Sequence, residues 1–98
     1  MNGFTVIVPA TENWPRRASV AAENAARAAA RAATAVPSCA GSVAAQQDAP
    51  KLATQAATYA AQSLDAWNNG NYVSSYENCV SAEYAARAAA VLAKLANR

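Results

Sequence analysis

Histidine is absent from the 98 residues, and there are only two cysteines, three glycines and six carboxylates. These shortages remove most chemistry. No imidazole is available as a general base, or to activate Cys39 or Cys79 as a nucleophile. Zinc sites need about four ligands at characteristic spacings, which two distant cysteines and scattered carboxylates do not supply. Glu77 and Glu83 stand six positions apart, on different faces of a helix, so they cannot share a proton. Three glycines are too few for a phosphate-cradling loop, and no dinucleotide, P-loop, zinc-protease or hydrolase motif is present. The expectation is a protein that is not an enzyme and takes no cofactor or metal.

Long apolar runs are missing as well. Nothing approaches the roughly 18 consecutive apolar residues of a membrane span. Met1 to Pro9 has no basic lead-in and only a five-residue run, Phe4 to Val8, so it does not read as a secretory signal. A cytoplasmic chain is expected, with Cys39 and Cys79 kept as thiols and used as small packing residues; a disulfide between them is the minor alternative. The net charge is only +2, yet residues 13–36 hold four arginines and one glutamate. The basic character is concentrated there.

What the chain does contain is alanine, 30 of its 98 residues. Leu, Ile, Val and Phe together supply only 14. Alanine is the strongest helix former and buries little area. Stability must then come from helix propensity, from close helix–helix approach, and from a few anchors: Trp14, Tyr59, Trp67, Tyr72, Tyr76 and the valines. The predicted fold is all-α, a compact bundle of three main helices with a short connector helix and an extended N-terminal arm or short strand.

One domain is expected over 1–98: an arm at 1–13, a first helix at 14–36, a connector at 37–50, a second helix at 49–68 and a third at 72–97. Phe4 to Val8 is β-branched and ends at Pro9, as a strand or arm would. Pro15 suits the first helical turn and Pro37 stops the helix. Within the connector Ser42 can cap a short turn of helix over 43–47, and Asp48 is the expected N-cap of the second helix. Asn68-Asn69-Gly70-Asn71 reads as a turn. The third helix starts at Tyr72, or after a capping box from Ser74 to Glu77.

At 100° per residue the second helix has two faces, Lys51, Gln55, Thr58, Gln62 and Asp65 opposite Leu52, Ala56, Tyr59, Ala60, Ser63 and Trp67. The first helix has only alanine to bury. The third carries two apolar faces, Val73, Tyr76, Val80 and Val91 on one and Ala82, Ala85, Ala86, Ala89 and Ala93 on the other, so it is either central or lends a face to a partner. Val20 to Ala30 matches Val80 to Ala90 at nine of eleven positions, sixty residues apart. The two segments are expected to perform the same packing task, with Glu23–Arg27 and Glu83–Arg87 as i,i+4 pairs.

Two surfaces stand out as candidate binding sites. Arg16, Arg27 and Arg31 form a basic docking stripe with Glu23 between them. Trp67, Asn69, Tyr72 and Tyr76 form an aromatic tip with the composition of an interaction hot spot. The bland alternatives are a solvated charged line and a closed bundle end. Nucleic acid is a less favoured partner, since the net charge is small and no recognition motif is present. Membrane binding is not expected, because the arginines lie opposite alanine with no Trp, Phe or Leu to insert.

Trp14-Pro15-Arg16-Arg17-Ala18, taken with Tyr84-Ala85-Ala86-Arg87-Ala88-Ala89-Ala90, resembles the alanine-rich, all-helical immunity proteins of bacteria over residues 14–96. The resemblance implies stoichiometric blockade of a protein partner. Small phage proteins that inhibit bacterial defence complexes, anti-CRISPR proteins among them, are analogous in size and kind. The functional expectation is a helical protein that binds and blocks a macromolecular partner. The alternative is a self-assembling structural module, with a homodimer made through the N-terminal arm or the alanine faces.

Overall fold

The computed structural model describes residues 13–97, so the arm or strand expected at Phe4 to Val8 lies outside the described residues. Three helices, α1 (Trp14–Ala35), α2 (Val43–Asn68) and α3 (Tyr72–Ala96), each pack against both others. A single 3₁₀ turn, Pro37–Cys39, lies between α1 and α2. No strand occurs among the described residues. The all-α bundle is therefore present. Its order is up, down, up, and α1 and α3 run parallel.

Local chemistry explains most of the boundaries. The side chain of Asn13 caps α1 by accepting from the Arg16 amide at 3.3 Å, and Pro15 occupies the first turn, where no amide is needed. α2 ends in a Schellman motif. Gly70, at φ 78°, donates to the Trp67 carbonyl at 3.1 Å, and Asn71 donates to that of Ala66 at 2.8 Å. α3 begins at Tyr72 after Asn71. The Ser74–Glu77 capping box is not used, because the helix has already started before it.

The connector differs from expectation. Residues 43–68 form one helix that runs straight through Pro50, so the separate turn at 43–47 and the start at Ala49 merge. Ser42, not Asp48, is the cap, accepting from the Ala45 amide at 3.3 Å. Packing accounts for this: Ala45 and Ala49, one turn apart, are buried with Cys39 against Val36, Leu92, Ala93 and Ala96. That contact holds the first two turns helical. The carbonyl of Gln46, which Pro50 leaves without its helical donor, lies on an exposed residue where water can serve it.

The core is made of small residues. Every buried residue of α1 is alanine: Ala18, Ala21, Ala22, Ala25, Ala28 and Ala32. α3 buries Ala82, Ala85, Ala86 and Ala89 beside Ser75 and Cys79. None of the expected anchors among the described residues is fully buried. Trp14, Tyr59, Trp67 and Tyr72 are half-buried, while Val20, Val43, Val73, Tyr76, Val80 and Val91 are exposed. Helices this close leave no room for a large side chain between them, so the large apolar groups sit at the seams and on the outside. At the end of the bundle Gly41 shows how tight the approach is, since a Cβ there would lie 2.6 Å from the Ala96 carbonyl oxygen.

The polar part of the core is one serine pair. Ser63 Oγ donates to the Ser75 carbonyl at 2.7 Å, and Ser75 Oγ donates to the Ser63 carbonyl at 2.8 Å. Ser75 Oγ also lies 3.3 Å from the Ala18 carbonyl, so three helices meet there. Both hydroxyls are buried and satisfied.

The sixty-residue repeat is also the packing register of α1 against α3. Ala18 meets Ser75, Trp14 meets Tyr76, and Asn97 Nδ2 donates to the Ser38 carbonyl at 2.7 Å, pairs whose separations bracket sixty. Ala22 and Ala82, and Ala25 and Ala85, are buried in both copies; Val20 and Val80, and Arg27 and Arg87, are exposed in both. The packing is shared only in part, since Ala26 is exposed where Ala86 is buried and Ala28 is buried where Ala88 is half-buried. The i,i+4 pairs are not closed, for neither Glu23 with Arg27 nor Glu83 with Arg87 comes within ion-pair distance.

Candidate functional site

Arg16, Arg27 and Arg31 are all exposed on α1. Helical geometry places them within about 60° of arc and spreads them over about 22 Å along the axis. Glu23, also exposed, lies on the same line. The stripe exists as expected, directed away from the alanine face.

The aromatic tip is not a single surface. Trp67 is half-buried, and its Nε1–H donates to the Pro15 carbonyl at 3.2 Å, which ties the end of α2 to the start of α1. Tyr72 is half-buried. Asn69 is exposed and its side-chain amide donates to the Asp65 carbonyl at 2.9 Å, finishing α2. Trp67 and Asn69 thus build the bundle end, the blander of the two readings. Tyr76, on α3, meets Trp14 and Arg17 of α1 while remaining exposed.

At Tyr76 the structure brings together a cluster that sequence reasoning missed. The Arg17 guanidinium carbon sits 4.9 Å from the Trp14 ring centre and 4.7 Å from that of Tyr76, and the two rings meet edge to face at 6.4 Å. Each cation–π contact at such a partly exposed place contributes about 0.5–1 kcal/mol. Trp14 and Arg17 are three residues apart, the spacing of neighbours on a helix surface, and that spacing was the available signal. Tyr76 comes from another helix and no local pattern announces it.

The cluster opens into a groove of about 410 Å³ between α1 and α3, lined by Arg16, Arg17, Val20 and Asn24 on one side and Tyr76, Val80 and Glu83 on the other. Cys79 lies at its floor. Burial pushes its thiol above the ordinary 9.0, and the Glu83 carboxylate one turn further on pushes it in the same direction. A thiol held protonated in this way is a poor nucleophile. Cys39 is buried in a different cluster with Leu92 and Ala96, and both cysteines are free. Among the described residues no group of three or more Cys, Asp or Glu is placed to hold a metal ion, and no helix is long and apolar enough to cross a membrane.

The arrangement is suited to binding. It offers guanidinium groups, aromatic faces and a line of exposed aliphatic groups, with no activated base or nucleophile among them. No family model, curated protein or solved structure matches this chain.

Proposed function

We propose that this chain is a small non-enzymatic helical protein that binds a protein partner and blocks it, in the manner of an immunity protein or an inhibitor of the anti-CRISPR kind, in the cytoplasm. The observation that carries the reading is how side chains are sorted. Alanine and serine hold the bundle together, while the arginines and most large apolar groups are turned outward. A chain that commits its larger side chains to the outside is built to present surfaces. Arg16, Arg27 and Arg31 supply steering and pairing with acidic groups, and Tyr76, with Trp14 and Arg17 beside it, supplies an aromatic anchor. Blockade is by occlusion, one copy covering one partner site.

Nucleic acid is the less favoured partner of the same stripe, since Glu23 interrupts it and the net charge is only +2. The test is affinity capture from host lysate by the wild type and by Arg16→Glu, Arg27→Glu and Arg31→Glu together, with duplex and single-stranded nucleic acid assayed at 50 mM salt in parallel. The expected result is a stoichiometric protein partner lost in the triple variant, whose helicity is unchanged. Retention of the partner by that variant would remove the stripe from the site; binding to nucleic acid alone would replace the reading. Trp67→Ala is not a clean control, because Trp67 holds the bundle end.

A further inference from the structure

We propose that a second copy of this chain docks on α3, antiparallel, to form a closed dimer through the line Val73, Tyr76, Val80, Tyr84, Val91 and Leu95. Of the nine large apolar residues exposed on the described surface, these are six, at 37% to 74% exposure. With Arg87 they follow the spacing 3-4-4-3-4-4. That is an eleven-residue period of about 3.67 residues per turn, close enough to 3.6 to keep the line nearly straight along the helix. It runs about 33 Å. The alanine face of α3 lies on the opposite side and is used up inside the bundle.

The identity of the occupant follows from self-complementarity. Turning one α3 over about the midpoint of Ala85 and Ala86 sets Tyr76 opposite Leu95, Val80 opposite Val91, and Tyr84 opposite Arg87 of the second copy. The same turn brings Glu83 to within one residue of facing Arg87 of the second copy, and Arg87 to within one residue of facing Glu83. Arg87 stands in the line and Glu83, one turn before it, borders the line on the same side, and antiparallel helices bring like edges together. Neither comes within ion-pair distance of an opposite charge among the described residues, so no internal ion pair has to be broken. Parallel pairing would instead place Arg87 on Arg87 within the seam. Covering the six side chains removes roughly 600 Å² per copy and about 1,200 Å² for the pair, the lower edge of specific interfaces. This proposal does not rest on the partner-binding reading. Tyr76 belongs to both surfaces, but the α1 arginines are outside the seam, so the triple arginine variant separates the failure of one from the failure of the other.

Sedimentation equilibrium of the full chain from about 1 to 500 µM tests it, because association by mass action grows with concentration. The expected result is a monomer–dimer equilibrium with no larger species. Glu83→Arg and Arg87→Glu should each weaken it about tenfold, while the double exchange should restore it to within about threefold of wild type. Circular dichroism confirms that each variant keeps its helices. A chain that stays monomeric throughout, with the line covered by its own residues 1–12 or left open, overturns the proposal. So does open-ended growth, or a dimer that the double exchange fails to rescue.

Discussion

Cys79 is the residue whose surroundings make the most definite solution prediction. Its thiol is raised above 9.0 by burial first and by Glu83 second. As pH rises past 9.0 the unfolded thiol ionises while the folded one stays protonated. The stabilisation is therefore complete below 9.0 and is lost as pH climbs through the folded value. Urea unfolding at pH 7 and pH 10 should show a larger loss for the wild type than for Cys79→Ala, each compared with its own neutral value. Equal losses would mean that Cys79 does not contribute to the alkaline limb. The serine pair acts at the same scale by another route. Two hydroxyls that exchange donors with each other's carbonyls fill a space that admits nothing larger, at about 1 kcal/mol per bond.

Among the elements, α2 contains the one local conflict. Pro50 lies eight residues into a helix and withholds a donor from Gln46. The tertiary contact of Ala45 and Ala49 with Cys39 and Leu92 outweighs that cost. Pro50→Ala should restore the bond and raise stability by about 1–3 kcal/mol, read as a higher urea midpoint at unchanged slope. If it lowers stability, the proline is packed in a way its exposed position does not show. α1 and α3 differ in another respect. They share one register and one alanine face, yet positions equivalent to Arg16 and Arg31 on α1 are Tyr76 and Val91 on α3. One helix turns a basic line outward and the other an apolar one.

For the molecule as a whole, the usual relation between size and burial is inverted. Large apolar residues outside are close to neutral for the fold, and small ones inside are critical. Two substitutions on α1 measure this. Val20→Ser, on the surface, should change stability by no more than about 0.5 kcal/mol. Ala25→Leu, at 0% exposure, should cost about 1–3 kcal/mol by overpacking. A tolerated leucine at position 25 would show that the helices can part, and the alanine account would fail. Partner capture and dimer formation belong to this scale too; Tyr76 is common to both surfaces, but substitutions of the α1 arginines and of Glu83 and Arg87 let each be measured apart.

The residues alone determined the helices and their register. Alanine propensity, Pro15, Pro37 and Gly70 act within a few positions, and the Val-Glu-Arg repeat carries its own phase. Helices at 14–36 and 72–97 were legible to within a residue for that reason, as was the Arg16–Arg27–Arg31 stripe, which lies on one helix. Only the tertiary structure decided where the large side chains go. Val73, Val80 and Val91 look like core in sequence, but the approach of three alanine faces excludes them from the interior. It also decided that 43–48 joins the second helix, and that Tyr76 crosses to Arg17 and Trp14. Those outcomes depend on contacts between residues that are distant along the chain, and hydrophobic pattern records only that a face is apolar, not which of two faces another helix will cover.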